Sequence, residues 1–305
     1  MYERMNFFTK ITLKATDRDL YHKKKFEEQN QQFLNKANAS QVNFNIKAKP
    51  YYSFKHSGNS GDLIYSLPAV YALAENSSIE LYLNLDQKMN YDIERGKHPL
   101  NGVMLNEKMF LMLQPLLLFQ QQIKTCNIYH NESIDYDLDI FRKSAFNTNS
   151  GSIARWYFLH FAVNADLGKS WLQVNANSSF NDYIVIARSL GYHSPGIDYS
   201  FLSKYKKLIF VGVPEEFEEM RLVLPTLEYQ SVSNFLELAE IIAGCKFFIG
   251  NQSFPFSIAE ALKVKRILEV YYVCPNVIVE GINGYDFCFQ PQFEKVVEKL
   301  YRLSE

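Results

Sequence analysis

Two short polar segments hold the side chains that could do chemistry. The first is Ser57-Gly58-Asn59-Ser60-Gly61-Asp62, between an aromatic run and the apolar run Leu63-Ile64-Tyr65-Ser66-Leu67. Glycines let a backbone come close to a ligand, and a helix N-terminus favours an anion. A carboxylate at the end of such a turn is placed to take a proton from a hydroxyl, so Asp62 reads as a general base or as a plain helix N-cap. The second is Gly250-Asn251-Gln252-Ser253, ahead of Phe254-Pro255-Phe256-Ser257. Backbone N–H groups near Ser253, with its hydroxyl and Gln252, can cradle a diphosphate. Glu260 follows two turns on and reads as a ribose ligand or as an ordinary helix residue. Neither segment has the GxxxxGK(S/T) spacing of a P-loop or the GxGxxG spacing of a dinucleotide fingerprint.

Other residues carry weaker signals. Arg188 follows the apolar run Tyr183-Ile184-Val185-Ile186-Ala187 and reads as a phosphate partner or a solvated cation. Glu215 and Glu216 follow the next apolar run and read as nucleoside contacts or as acids that favour a helix dipole. Asp135, Asp137 and Asp139 alternate with apolar residues over Ile134–Phe141, so on a strand they share one face. They read as a cation site or as a solvated, Arg142-paired edge, and the site assignment adopted here contains no metal. His56 borders the first turn, but no Ser-His-Asp order and no HExxH occur. Cys126, Cys245, Cys274 and Cys288 are far apart, which fits neither a disulfide framework nor zinc.

The elements that must position these residues follow from hydrophobic period. Tyr51–Lys55, Ile79–Leu83, Tyr183–Ala187, Leu208–Gly212, Leu222–Leu224, Lys246–Gly250 and Arg266–Val270 read as strands. Helices are expected from Asp62, over Glu107–Ile123 with a bend at Pro115, and from Pro214. Three more are expected over Val232–Ala243, with Ser231 or Ser233 as cap, from Ser253 to Leu262 and over Phe293–Leu303. Strands alternating with helices predict an α/β protein of two Rossmann-like halves facing a cleft. The expected divisions are a polar helical extension over 1–47, a first domain over 48–175 and a second over 176–305. Lys23-Lys24-Lys25 in the extension reads as a solvated face or as a contact for anionic lipid.

Composition narrows the class. The 305 residues suffice for two cores of roughly 150 residues each. With 32 Lys+Arg against 33 Asp+Glu there is no basic excess to bind nucleic acid. The longest apolar run, Met109–Phe119, falls short of the roughly 20 residues that cross a bilayer, and the N-terminus lacks a secretory pattern. The expected address is the cytoplasm.

Gly61-Asp62-Leu63-Ile64-Tyr65-Ser66-Leu67-Pro68-Ala69 resembles the N-terminal signature of the ADP-heptose:lipopolysaccharide heptosyltransferases. Leu236-Glu237-Leu238-Ala239-Glu240-Ile241-Ile242 and the following residues to Ser253 are similar to that family's second signature, in the right order. The resemblance implies a GT-B glycosyltransferase, with the acceptor site in the first half and the nucleotide-sugar site in the second. It implies inverting, metal-independent transfer from a nucleoside-diphosphate sugar to a saccharide or glycolipid hydroxyl, with no separate cofactor. Asp62 then matches the base, while Gly61, Arg188, Gln252, Ser253 and Glu260 fall on the donor side and Glu215 and Glu216 near the nucleoside. A glycolipid acceptor would bring the chain to the inner membrane face as a peripheral protein. GT-B relatives also return their last helix to the first domain. The chain departs from the family pattern at Gln252, Phe254 and Ser257, where the family has Asp, Gly and His. Those departures keep open a non-catalytic nucleotide-sugar or glycan-binding protein.

Overall fold

The computed structural model of the chain describes residues 5–40, 48–88, 102–143 and 149–303. Residues 1–4 and 41–47 of the expected extension lie outside the described residues. The rest of the extension is a pair of helices, α1 (Phe7–Thr16) and α2 (Arg18–Ser40). Asn6 caps α1 by accepting from Thr9 N–H.

The first half is a parallel sheet of β1 (Tyr51–His56), β2 (Ser78–Leu83), β3 (Ile123–Ile128) and β4 (Tyr136–Asp137), in the order β3-β2-β1-β4. Its helices are α3 (Ser60–Ala74), α4 (Glu107–Leu118) and α5 (Ile153–Phe161). The second half is a parallel sheet of β5 (Ile184–Ala187), β6 (Leu208–Phe210), β7 (Glu228–Tyr229), β8 (Phe247–Asn251), β9 (Arg266–Glu269) and β10 (Gly284–Phe287). Their order is β7-β6-β5-β8-β9-β10. Its helices are α6 (Pro214–Val223), α7 (Phe235–Gly244), α8 (Phe254–Leu262) and α9 (Gln290–Arg302). The second order is the doubly wound 3-2-1-4-5-6, and the first is its 3-2-1-4 core. In both, the strand order reverses beside the first strand, and ligands of such sheets bind in the crevice there.

Several sequence expectations shift. Ile123 belongs to β3 rather than to the preceding helix, which ends at Leu118. Leu222–Leu224 is the end of α6, not a strand, and Leu222 is exposed. Asn234, not Ser231 or Ser233, caps α7 by accepting from Glu237 N–H. The alternating segment Ile134–Phe141 is strand only at Tyr136–Asp137, and a 3-10 helix takes over at Leu138–Lys143. α9 does not return to the first half. Its buried Phe293, Val297 and Leu300 pack with Ile184, Phe247 and Phe287 of the second sheet.

The halves share a core. Leu63, Ile64 and Leu67 of α3 and Leu113 and Leu117 of α4 lie in one cluster with Leu238 and Ile242 of α7 and with Phe256 and Ala259 of α8. One contact explains why α3 tolerates Pro68. A proline has no N–H, so the carbonyl of Ile64, four residues back, loses its helical donor. Ile64 is buried, and Trp171 Nε1–H donates to that carbonyl at 3.0 Å. The Trp171 backbone N–H in turn donates to Ala261 O of α8 at 3.0 Å. Pro115 leaves the same gap at Leu111, but Leu111 is exposed and water can fill it.

Candidate functional site

The first reversal point lies between the ends of β1 and β4. The parallel register sets Phe54 beside Tyr136 and Lys55 beside Asp137. Asp135 and Asp137 therefore meet polar residues of β1 on the same period of two, and Asp139, just past β4, meets Ser57 just past β1. Asp135 accepts from Ser53 N–H at 3.1 Å and pairs with Lys49. Asp137 pairs with Lys55 at 2.9 Å. Asp139 accepts from Ser57 N–H at 2.9 Å and from the Ser57 hydroxyl. Burial pushes the Asp139 carboxyl up, but the His56 ring, the Ser57 donors and Arg142 outweigh it and hold it below its ordinary value. The alternation thus zips β4 to β1, and each carboxylate has its own partner. Among the described residues no group of three His, Cys, Asp or Glu is placed to hold a metal ion.

Asp62 is the third residue of α3, behind the N-cap Asn59. It is not the cap. Its Oδ2 accepts from Arg142 Nη2 at 2.7 Å, with the two side chains 18% and 21% exposed. The Asp62 Oδ1 makes no hydrogen bond among the described residues. Arg142 lies over the Phe141 ring, 4.7 Å from its centroid. Gly58 gives the guanidinium its room, since an ideal Cβ there would sit 1.9 Å from Arg142 Nη2.

His56 supports this turn from below. Gly58 N–H donates to His56 Nδ1 at 3.0 Å. That assigns the ring proton to Nε2, which lies 2.8 Å from Tyr157 Oη and donates to it. The phenol can then donate to Asp62 O, at 3.4 Å. Burial pushes the His56 pKa down to about 4, so the ring is neutral at ordinary pH. His56, Tyr157 and the Asp62 backbone are therefore one chain of donors that sets the start of α3.

The second reversal point lies between the ends of β5 and β8. Asn251, fully buried at the end of β8, accepts from Ser189 N–H at 3.0 Å and donates to Gly191 O at 2.6 Å. It ties the loop after β5 to the loop after β8. Ser253 is the N-cap of α8, but its hydroxyl makes no capping bond and instead lies 3.3 Å from Asn251 O. Pro255 contributes no N–H to that first turn.

Most expected donor ligands are held by internal bonds. Arg188 is not solvated. Its Nε and Nη2 donate to the two oxygens of Glu269 at 2.7 and 2.8 Å, and Glu269 also accepts from Ser194 N–H and Tyr199 Oη. Gln252 donates to Cys274 O and Asn276 Oδ1, both at 2.8 Å, and accepts from Tyr271 N–H at 2.7 Å. Glu260 is no surface residue. It is fully buried, pairs with Arg266 at 2.5 Å and with Lys263, and accepts from Glu280 N–H at 3.1 Å. Glu215 is exposed. Glu216 is buried, and burial pushes its pKa up to about 7 against the pull of the Val213 and Leu190 N–H groups.

The two reversal points meet at the helix N-termini. An ideal Cβ on Gly61 would lie 3.8 Å from Phe254 Cα and 3.8 Å from Ser257 Oγ. Phe254 is packed against Phe235, with ring centroids 4.4 Å apart. Ser60 Oγ and Tyr65 Oη, in the first two turns of α3, are buried without a hydrogen bond among the described residues. The structure thus brings Gly61, next to Asp62 in α3, to Phe254 and Ser257 in the first turn of α8, and leaves Arg188, Gln252 and Glu260 in separate internal networks. Arg142, as the partner of Asp62, was not legible. It sits 80 positions away on another strand's exit, and only its nearness to the acidic alternation marked it.

No family model and no curated protein matches the chain. Solved structures do. E. coli heptosyltransferase WaaC with ADP matches at TM-score 0.52 and 10% identity, over 84% of this chain and 100% of that one. The dodecameric iron-containing heptosyltransferase TibC, in complex with ADP-D-beta-D-heptose, matches at 0.56 and 12% over 85% and 79%. E. coli ADP-heptose LPS heptosyltransferase II matches at 0.51 and 11% over 82% and 98%. The likeness defines the class of fold, which is GT-B with two Rossmann-like halves. Within that class, the chain has the architecture of the heptosyltransferases.

Proposed function

We propose that this protein is a glycosyltransferase that moves a sugar from a nucleoside-diphosphate donor to a saccharide hydroxyl with inversion and without a metal ion. The first half is the acceptor domain and the second the nucleotide-sugar domain, divided near residue 175. The observation that carries the reading is the close approach of Gly61, the residue before Asp62, to Phe254 at the start of α8 in a GT-B fold. Structures of that fold hold ADP or ADP-heptose, as their names state.

In this reading Asp62 Oδ1 takes the proton of the acceptor hydroxyl as its oxygen attacks the anomeric carbon. Arg142 holds Oδ2 and so fixes the carboxylate's direction. The departing diphosphate gathers charge at the α8 N-terminus, where the helix dipole and the Ser253 hydroxyl stabilise it. Gly61, at the contact, lets donor and acceptor approach. Glu215, exposed at the start of α6, and Glu216 beside it border the nucleoside. Arg188, Gln252 and Glu260 serve the donor site by holding its loops rather than by touching phosphate or ribose.

The test has two parts. Nucleoside diphosphates and nucleotide sugars are screened by thermal shift, where a ligand at about 100-fold over its Kd adds about 2.7 kcal/mol. The donor so found is then assayed with Asp62→Asn. Loss of transfer by at least about 100-fold with donor binding kept supports the base. Equal loss of both defeats it. The internal bonding of Arg188, Gln252 and Glu260 favours a second reading, a nucleotide-sugar or glycan-binding protein that transfers nothing. A donor shift without transfer or hydrolysis would select it.

A further inference from the structure

The loop between β9 and β10, residues 271–282, leaves the second sheet and reaches the first half. Its hold on the second half is made by side chains. Gln252 accepts from Tyr271 N–H at 2.7 Å and donates to Cys274 O and Asn276 Oδ1, both at 2.8 Å. An Asp here, the residue of the family pattern, could accept but could not donate. Glu260 Oε1 accepts from Glu280 N–H at 3.1 Å, and Lys263 Nζ donates to Glu280 O at 3.0 Å. Arg266, fully buried, donates to Ile282 O at 3.1 Å. The same loop is fastened to the first half. Ile153 N–H, at the start of α5, donates to Asn276 O at 3.1 Å, and Arg155 pairs with Glu280. Gly281 lies against Gly168, where an ideal Cβ would come within 2.5 Å of Gly168 O. Between these points Val277 is buried in the cluster that both halves share.

We infer that residues 271–282 are a strap that locks the two halves into one rigid body, with Gln252 and Glu260 as its anchors. A hinge opening would have to strip the strap from one side. Release from the second half breaks bonds that charged side chains make to backbone, which are roughly twice as strong as neutral ones. Release from the first half bares Val277 and leaves the N–H of the buried Ile153 without an acceptor. Behind the strap, Trp171 joins the halves again. Its N–H donates to Ala261 O of α8, its indole donates to Ile64 O of α3, and the Lys263 ammonium lies 4.5 Å from its ring centroid. Two residues that read from the sequence as donor ligands thus fasten one half to the other. The lock holds whether or not the chain transfers a sugar, and a ligand reaches either crevice by movement of loops rather than of halves.

Native-state hydrogen exchange of the full chain, with no ligand added, tests the lock. Ile153 N–H reports the strap and Trp171 N–H the seam. Phe54 N–H of β1 and Phe248 N–H of β8, both buried, report the two sheets. All four should be protected within about tenfold of one another, because only global unfolding frees the first two. Exchange at Ile153 or Trp171 more than about tenfold faster than at both phenylalanines overturns the proposal, since the strap or the seam then opens by itself. Gln252→Ala removes three bonds, at about fivefold each, and should speed exchange about 100-fold. Although Gln252 bonds only within the second half, Phe54 should accelerate as much as Phe248. Acceleration confined to Phe248, or none at all, overturns the lock. Arg155→Gln alters a half-exposed side chain, keeps the fold and runs the test from the other side. It should speed Phe248 as much as Phe54, by about two- to fivefold, and an effect on Phe54 alone overturns the lock equally.

Discussion

Arg188 separates a phosphate ligand from a structural cation, and its substitution tells the two apart. The Glu269 carboxylate is fully buried and takes four donors, of which Arg188 supplies two at 2.7 and 2.8 Å. Arg188→Met removes both and leaves a charge inside the protein without its counterion. Breaking a buried pair this way costs about 3–5 kcal/mol. Arg188→Lys keeps the charge but replaces the two-pronged contact with a point contact, and should cost about 1–2 kcal/mol. Adding Glu269→Gln to Arg188→Met removes the stranded charge while its amide oxygen still accepts from Ser194 N–H and its NH2 donates to Tyr199 Oη. The double variant should regain about 1–3 kcal/mol of the loss. Urea unfolding of the four proteins, followed by the midpoint at unchanged slope, measures the series. If Arg188→Met melts within about 1 kcal/mol of the parent and instead loses its shift with nucleoside diphosphates, the ion pair is incidental and Arg188 is a donor ligand after all.

Four further perturbations test separate joints of the structure. Trp171→Phe should cost about 1–3 kcal/mol by leaving the buried Ile64 carbonyl without a donor, and adding Pro68→Ala should recover most of it because the new N–H restores the helical bond. Thermal unfolding of the two single variants and the pair measures that coupling. Gly58→Ala places a Cβ 1.9 Å from Arg142 Nη2 and 2.8 Å from His56 Cε1, and should cost about 1–3 kcal/mol and lower transfer, while Gly61→Ala, with nothing nearer than 3.8 Å, should fold normally. Glu216, raised to about 7 from 4.5 by burial, keeps its proton longer folded than unfolded, so its contribution is whole below pH 4.5 and fades as pH rises through 7. Glu216→Gln should therefore gain stability over the parent at pH 8, by up to about 3 kcal/mol, but not at pH 4.5. His56 acts in the opposite sense: lowered to about 4 from 6.5, it contributes fully above pH 6.5 and its contribution is lost as pH falls through 4, which a melting-temperature profile of the parent and of His56→Gln would separate.

Local order alone determined much of this protein. Apolar runs with a period of two or 3.6 located most of the strands and helices, because such residues must be buried on one side wherever the chain places them. The turn before Asp62 and the turn before Ser253 were legible for the same reason, as glycine and serine break each run at the point where a strand hands over to a helix. Only the tertiary structure decided what those residues touch. Arg188 looked like a solvated or phosphate-bound cation until β9 brought Glu269 to it. Glu260 looked like a surface residue until Arg266 and Lys263 closed around it. The alternation of Asp135, Asp137 and Asp139 fitted a cation site as well as it fitted a zipper, and the register of β4 against β1 chose the zipper. Pro68 leaves the carbonyl of Ile64 without its helical donor, and an indole 103 positions later supplies one. A partner held at long sequence distance leaves no mark on the local pattern of either residue, so the charge that pairs with Asp62 could be found only where the folded chain puts it.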